Sequence, residues 1–84
     1  MPNYARNIKQ DFGLKYDSKD VGKHIVKLRK QKKMSRNQLV FKSHVDGTAI
    51  MRIERGECSP VLDTLFRIIG GLGLQPKEFF EAFG

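Results

Sequence analysis

The stretch SRNQLVFKSHVDGTAIMRIE, residues 35–54, decides the fold of this chain. It opens with a capping box, in which the Ser35 hydroxyl accepts from the backbone of Gln38 and the Gln38 side chain accepts from the backbone of Ser35. Met34 and Leu39 flank this cap at the spacing of a hydrophobic staple. Two independent start signals at one position predict a short helix that begins at Ser35.

A second helix start lies within the same stretch, at Asp46. A carboxylate cap is favoured by the positive end of the helix dipole, and Val45 and Ile50 repeat the staple spacing. Gly56 lies where a left-handed residue is expected after the end of a helix. The pattern therefore predicts a helix over residues 47–54.

The joint between these two helices, Ser43-His44-Val45, is only about three residues long. Two short helices with so tight a joint cannot lie antiparallel and must cross at a steep angle, which is the helix-turn-helix arrangement. His44 suits the turn, because histidine tolerates a left-handed backbone better than most residues. With Ile50 and Ile53 pointing inward, the outer face of the second helix is short, polar and basic.

A longer helix is predicted before this pair, over residues 18–32, with Asp17 or Ser18 as its cap. Its apolar residues follow the spacing of one helix face: Val21, Ile25 and Leu28.

Another helix is predicted after the pair, and its apolar face consists of Val61, Leu62, Leu65, Ile68, Ile69 and Leu72. Ser59-Pro60 has the pattern of a cap followed by proline in the first turn, and Gly73 ends the helix. Gly70 and Gly71 either permit close helix packing or let the last turns fray.

A last short helix follows Leu74, with Pro76 at its first position. It carries Phe79, Phe80 and Phe83, more aromatic surface than one helix face can bury in so small a domain. Phe79 is expected in the core, and Phe80 and Phe83 are candidates for an exposed patch beside Leu74. A symmetric dimer through this helix is the economical interpretation, and frayed final residues are the alternative.

Charge is unevenly distributed along the 84 residues, whose formal net charge is +7. Residues 1–56 contain 14 Lys/Arg and 5 Asp/Glu, whereas residues 57–84 contain 2 and 4. This asymmetry suggests a polyanionic partner for one face, although a solvated lysine-rich helix explains the charge alone equally well.

Composition narrows the function classes. No apolar run approaches the roughly 18 residues of a membrane span, and the N-terminus has no secretory apolar stretch. His24, His44 and Cys58 lack metal-ligand spacing, and no nucleophile–base arrangement is found. We therefore expect no enzyme, no metal and no cofactor. Cys58 is expected to pack in the loop before the fourth helix rather than to sense oxidation.

The pattern closely resembles a known family, and the resemblance covers roughly residues 21–80. The matching residues are Val21-Gly22-Lys23-His24-Ile25, Leu28-Arg29, Met34-Ser35, Gln38-Leu39, Ile50, Ile53-Glu54-Arg55-Gly56, Ser59-Pro60 and Thr64-Leu65. In this order and spacing they resemble the Cro and lambda-repressor-like helix-turn-helix family, also called the xenobiotic-response-element (XRE) family. The resemblance implies an all-α fold of five helices, a recognition helix in the major groove, and a regulator that binds palindromic operators as a dimer.

The resemblance also implies base-contacting positions on the helix of residues 47–54. Thr48 and Arg52 match such positions, and Arg52 can bond bidentately to guanine O6 and N7. Met51 and Thr48 can touch a thymine methyl group. Gly47 stands where many members of the family place a base-reading side chain, so it removes one contact and lets the backbone approach DNA. Asp46 replaces the usual Ser or Thr cap and weakens nonspecific attraction to phosphates.

Other matched positions imply phosphate contacts and one structural pair. Arg36 matches the position that usually clamps a phosphate, and Arg55 and Lys42 are expected to contact phosphates as well. Arg29 and Glu54 match a pair that links the first helix to the third, and loss of one partner should destabilise the fold.

The chain is predicted to divide into an N-terminal arm, residues 1–17, and a helix-turn-helix domain, residues 18–84. Tyr4, Ile8, Phe12 and Tyr16 suggest a helical stripe in the arm, while its end equally suggests a short extended segment. The arm is expected to pack on the domain or on a partner subunit. Entry of its basic residues into a minor groove is the alternative.

These observations predict a bacterial or phage transcription regulator, above all a repressor, acting as a homodimer on double-stranded DNA in the bacterial cytosol or nucleoid. We expect no separate ligand-sensing domain in a chain of this length, and a phage repressor, a restriction–modification controller and an autoregulating antitoxin all fit that expectation. The alternative is an adaptor or antitoxin that sequesters a protein partner through Phe80 and Phe83. A steep salt dependence with strong sequence preference would distinguish DNA binding from this alternative.

Overall fold

The computed structural model describes residues 16–83, and every regular element in that range is a helix. The elements are α1 (Ser18–Gln31), α2 (Arg36–Ser43), α3 (Gly47–Glu54), α4 (Leu62–Gly71) and α5 (Pro76–Glu81). The predicted all-α class with five helices is confirmed. The expectations for the arm lie outside the described residues, apart from Tyr16 and Asp17.

Helix starts follow the predicted capping chemistry at α2 and α3. The Gln38 amide donates to Ser35 Oγ at 3.1 Å, and the Ser35 amide donates to Gln38 Oε1 at 2.8 Å. The Thr48 amide donates to Asp46 Oδ2 at 3.1 Å. At α1 the cap is Asp17, which decides between the two predicted caps. Local side-chain hydrogen bonds thus fix where the first three helices begin.

The turn between α2 and α3 is tight, and its polar groups are satisfied. His44 has the left-handed backbone expected of it, with φ 57° and ψ 31°, and its amide donates to the Val40 carbonyl at 3.0 Å. The buried Ser43 hydroxyl accepts from the Val45 amide at 3.2 Å. The short joint therefore folds without glycine, and α3 leaves it in a fixed direction.

The start of α4 differs from the prediction. The helix begins at Leu62 after Val61, which offers no side-chain cap, and not at Ser59-Pro60. The first helical bond of α4 runs from the Leu65 amide to the Val61 carbonyl at 3.0 Å, so the loop after α3 is two residues longer than predicted. Val61 and Leu62, which were predicted on the core face, are instead 70% and 61% exposed at the beginning of the helix.

Two close approaches hold the helices together. A side-chain carbon at Gly22 of α1 would collide with the carbonyl oxygen of Ile53 in α3, so these helices meet backbone to backbone. A Cβ at Gly71 would lie 2.8 Å from Ser43 Cβ and 3.0 Å from Leu39 Cδ1, whereas one at Gly70 would meet nothing within 4 Å. Gly71 alone therefore carries the predicted close packing.

The core fills the space between the five helices. Its buried apolar side chains are Ile25, Leu28, Leu39, Val45, Ile50, Ile53, Leu65, Ile68, Ile69, Leu72 and Phe79. His24 also lies inside, at 6% exposure, and its Nε2–H donates to the Phe79 carbonyl at 2.9 Å. This bond ties α1 to α5, so the last helix is attached to the scaffold that supports α3.

Candidate nucleic-acid interface

The outer face of α3 carries the residues predicted to read bases. Thr48 and Arg52 are exposed and lie one turn apart on the same side of the helix, and Met51 is half-buried. Ile50 and Ile53 are buried on the opposite side, at 0% and 2% exposure. The apolar residues thus orient α3 so that a threonine and an arginine are presented to solvent.

Gly47 occupies the first position of α3, and packing does not require glycine there. A Cβ built on this residue would have one neighbour within 4 Å, Val40 Cγ2 at 3.5 Å, which is an ordinary van der Waals separation. A larger side chain would therefore fit at this position. The glycine removes a side chain that could contact DNA, and the packing of the fold does not demand this.

A buried carboxylate fixes the end of α3. Glu54 is 2% exposed in its side chain, and Arg29 of α1 reaches it with Nε at 2.9 Å from Oε2 and Nη2 at 3.3 Å from Oε1. Arg29 Nη1 also donates to the Met34 carbonyl at 3.0 Å. The structure thus contains the ion pair that sequence comparison implied, and it joins α1, the α1–α2 turn and α3.

Arg36 has a partner that the sequence did not reveal. Its Nε donates to Glu54 Oε1 at 2.9 Å, so Glu54 serves two arginines, although Arg36 itself is 43% exposed. From the sequence, Arg36 was predicted to contact phosphate alone. A hydrogen bond between two helices, joining residues 18 positions apart, leaves no local pattern in the sequence. One signal could have indicated this partner. Arg36 lies in the first turn of a helix, where a cation is electrostatically unfavourable unless an anion lies nearby.

The other predicted phosphate contacts are solvent-exposed. Arg55 approaches Glu57 loosely, with Nη1 3.7 Å from Oε2 and exposures of 59% and 51%, so this pair contributes little to stability. Lys42 is exposed at the end of α2. Both cations are free to reorient toward an anion.

Four of the six exposed large apolar side chains among residues 16–83 belong to the segment that forms α4 and α5, and we call Val61, Leu62, Phe66 and Phe80 the apolar surface. Leu62 and Phe66 lie one turn apart on α4, with 61% and 43% exposure, and Phe80 on α5 is 49% exposed. Of these four residues, Phe80 was predicted to be exposed, whereas Val61 and Leu62 were predicted on the core face of α4 and Phe66 was not assigned to a surface.

The remaining predicted interface residues are less exposed than Phe80. Leu74 is half-buried against the core. The ring of Phe83 is half-buried, with its centroid 4.9 Å from that of Tyr16 and 5.2 Å from that of His24. Phe83 thus packs mainly on its own chain.

Several other expectations concern chemistry outside this face. Cys58 is exposed rather than packed in its loop, because the loop before α4 is longer than predicted. Residues 16–83 contain no group of three metal-binding side chains. In the same range, no helix is both long and apolar enough to cross a membrane.

Comparison with known proteins places this geometry in context. No family model matches the chain. The restriction-modification controller protein C.Esp1396I, solved as a tetramer in complex with its natural 35 base-pair operator, is 33% identical with a TM-score of 0.76, over 79% of this chain and 87% of that one. The controller protein C.AhdI from Aeromonas hydrophila is 28% identical with a TM-score of 0.71, over 76% of this chain and 97% of that one.

A relative with a similar sequence is also a regulator. The immunity repressor protein of Bacillus phage phi105 is 36% identical over 55 residues, which are 66% of this chain and 38% of the phage protein. The chain thus matches well under half of that repressor's length. The named relatives are regulators and not enzymes. With five helices, the tight turn and the exposed face of α3 in place, the chain belongs to the Cro/lambda-repressor-like helix-turn-helix (XRE) family, together with the restriction-modification controller proteins.

Proposed function

We propose that this chain is a transcription regulator that binds a palindromic operator in double-stranded DNA as a homodimer and represses transcription. The observation that carries the proposal is α3, whose buried isoleucines and Glu54 hold Thr48 and Arg52 outward on a rigid helix. A major groove is about 12 Å wide and admits one such helix. The operator complex of C.Esp1396I and the phage immunity repressor support the same function.

The proposed base contacts are few. Arg52 pairs with guanine O6 and N7, Thr48 reaches a base edge or a thymine methyl group, and Met51 contacts a second methyl group. Gly47 brings the backbone close to DNA without a side chain. With so few direct contacts, specificity also depends on half-site spacing and on DNA shape.

The proposed phosphate contacts are Arg36, Arg55 and Lys42. They lie at the start of α2, after the end of α3 and at the end of α2, so they would fix the protein on both sides of the reading helix. The surplus of basic residues in positions 1–56 adds long-range attraction to DNA. A regulator of this kind would act in the bacterial cytosol or nucleoid.

For the dimer we propose the apolar surface as the contact with a second copy. Phe80 would be its centre, with Leu62 and Phe66 beside it and Leu74 and Phe83 at its margin. Exposed apolar side chains concentrated in one part of a small protein mark an interaction surface. A twofold axis would then pair two α3 helices for two half-sites.

Selection of bound sequences from a random duplex pool, followed by titration over a salt series, tests the function. We expect one palindromic sequence with half-sites about 34 Å apart, and affinity that falls steeply as salt rises. Binding without sequence preference would contradict a regulator of this type. It would favour instead an adaptor or antitoxin that uses the apolar surface to bind another protein.

A further inference from the structure

One carboxylate in this protein is shared by two guanidinium groups. Glu54 accepts from Arg29 Nε and Nη2 at 2.9 and 3.3 Å, and from Arg36 Nε at 2.9 Å. The three residues come from α3, α1 and α2, and the side chain of Glu54 is 2% exposed. We call these residues the Glu54 cluster.

The Glu54 cluster carries more positive than negative charge. Two arginines and one glutamate leave one positive charge in excess, and arginine remains protonated in proteins. Arg36 is also the first residue of α2, where the helix dipole is positive, and the first turn of α2 contains no acidic residue. A second anion would therefore be bound favourably at Arg36.

The geometry leaves one edge of Arg36 for that anion. Its Nε is held by Glu54, and among residues 16–83 its two terminal nitrogens have no hydrogen-bond partner. The side chain is 43% exposed, whereas that of Arg29 is 11% exposed and makes three bonds within the protein. Arg29 thus donates from all three of its nitrogens within the protein, whereas Arg36 donates from one.

We propose that Glu54 is a positioning residue for DNA binding, which holds Arg36 so that its terminal nitrogens face a backbone phosphate. The proposal rests on the proposed function and deepens it. Because Glu54 is also the last residue of α3, the same carboxylate fixes the phosphate contact and the end of the reading helix. The distance between backbone contact and base contact is then set before DNA arrives.

Lysine cannot replace arginine in this role. A guanidinium presents donors along two edges, so one edge can bond Glu54 while the other bonds phosphate. An ammonium group is a point charge that keeps the attraction to DNA but not this fixed geometry. The proposal therefore distinguishes a positioned arginine from a mere surface charge.

The test compares Arg36→Lys and Arg36→Gln with the wild-type protein, using fluorescence anisotropy on the duplex that the pool selection yields. We expect Arg36→Lys to weaken binding roughly tenfold, since hydrogen bonds to charged groups are lost, while the salt dependence stays near that of the wild type. Arg36→Gln should weaken binding at least as much and lower the salt slope by about 0.9, the value for one phosphate contact. The matched control is Arg67→Lys, an exposed arginine on α4 outside the proposed interface, which should bind like the wild type.

A second comparison isolates the part played by Glu54. In a Glu54→Gln background, Arg36→Lys should cost clearly less than in the wild type, because one neutral acceptor oxygen then serves two guanidinium groups and holds Arg36 less firmly. Thermal unfolding checks that each variant folds, and if Glu54→Gln does not, the Lys and Gln variants at position 36 decide alone.

Equal affinity of Arg36→Lys and the wild type, or an equal loss in both backgrounds, would overturn the positioning role. Those results leave operator binding by the wild type intact. A wild-type protein that selects no duplex would instead contradict the proposed function, so the two failures are distinguishable.

Discussion

Two regions of this molecule share one hydrophobic core but differ in the other contacts that position their helices. The reading half, residues 18–54, positions its helices with capped termini, a backbone-to-backbone contact at Gly22 and the Glu54 cluster. The apolar half, residues 61–83, is packed around fully buried residues such as Ile68, Ile69 and Phe79, yet it exposes the apolar surface. The reading half buries an ion pair inside a single chain, while the apolar half leaves four apolar side chains exposed.

The difference agrees with the roles proposed for the two halves. A helix that reads DNA needs a fixed orientation before binding, and polar bonds of defined length provide it. A surface for a second copy needs area and shape rather than charge, and exposed aliphatic and aromatic side chains provide those. A substitution that perturbs one half leaves the other half as the reference.

The largest expected effect is a loss of stability when the buried ion pair of the reading half is broken. Arg29→Ala leaves the buried Glu54 with a half-exposed partner, so we expect the free energy of unfolding to fall by about 3–5 kcal/mol. Urea denaturation followed by circular dichroism measures this. The matched control, Glu57→Ala, removes the exposed pair with Arg55 and should change stability by less than about 0.5 kcal/mol. Equal effects of the two variants would show that burial of the pair is unimportant.

The next largest expected effect is a weaker dimer when the apolar surface is changed. Phe80→Asp places a charge in the apolar surface, and we expect a weaker dimer by roughly 1.5–3 kcal/mol per chain, the value of burying one such side chain. Sedimentation equilibrium should show a shift from dimer to monomer. Phe41→Asp is the control, because Phe41 is 79% exposed but lies on α2, in the reading half. If only Phe41→Asp dissociates the protein, the apolar surface is not the interface.

The contact between the halves is tested at two adjacent glycines. Gly71→Ala forces a methyl group against Leu39 and Ser43, and we expect a loss of about 2 kcal/mol from overpacking. Gly70→Ala points into open space and should stabilise α4 by up to about 1 kcal/mol through helix propensity. Thermal melts of the two variants should therefore move in opposite directions, and a shared direction would contradict the packing described.

The smallest expected effect is on reading alone. Arg52→Ala should reduce discrimination against one mismatched base pair by about 1–2 kcal/mol and leave fold and dimer unchanged. Competition between the selected operator and single-base variants of it measures the discrimination. Salt-sensitive binding to unrelated duplex should persist, because phosphate contacts remain. Unaltered discrimination at every position would remove Arg52 from the base contacts.

The sequence predicts those features that depend on neighbours a few residues apart. The bounds of α3 and the capping box of Ser35 and Gln38 follow from local hydrogen bonding, and the structure has both. Ser59-Pro60 misled for the same reason, because it has the local form of a helix start. The first helical hydrogen bond there joins the Leu65 amide to the Val61 carbonyl, so the helix begins at residue 62 and not at Pro60.

Features that depend on distant residues were not predictable in this way. The choice between Gly70 and Gly71 depends on which one faces α2, and the bond from Arg36 to Glu54 depends on how α2 crosses α3. For the site, the family resemblance supplied residue roles but not the sharing of one carboxylate. Base and phosphate contacts at Thr48, Arg52 and Arg55 stay predictions.

Gly47 has a consequence for how such a regulator changes its target. Its position at the start of α3 has room for a side chain, and replacing glycine there would also favour the helix by up to about 1 kcal/mol. A single substitution would therefore add a recognition contact without a compensating change in the core. Duplicated copies of this gene could diverge in operator preference through one codon, which gives the protein a direct evolutionary route to a new regulatory circuit.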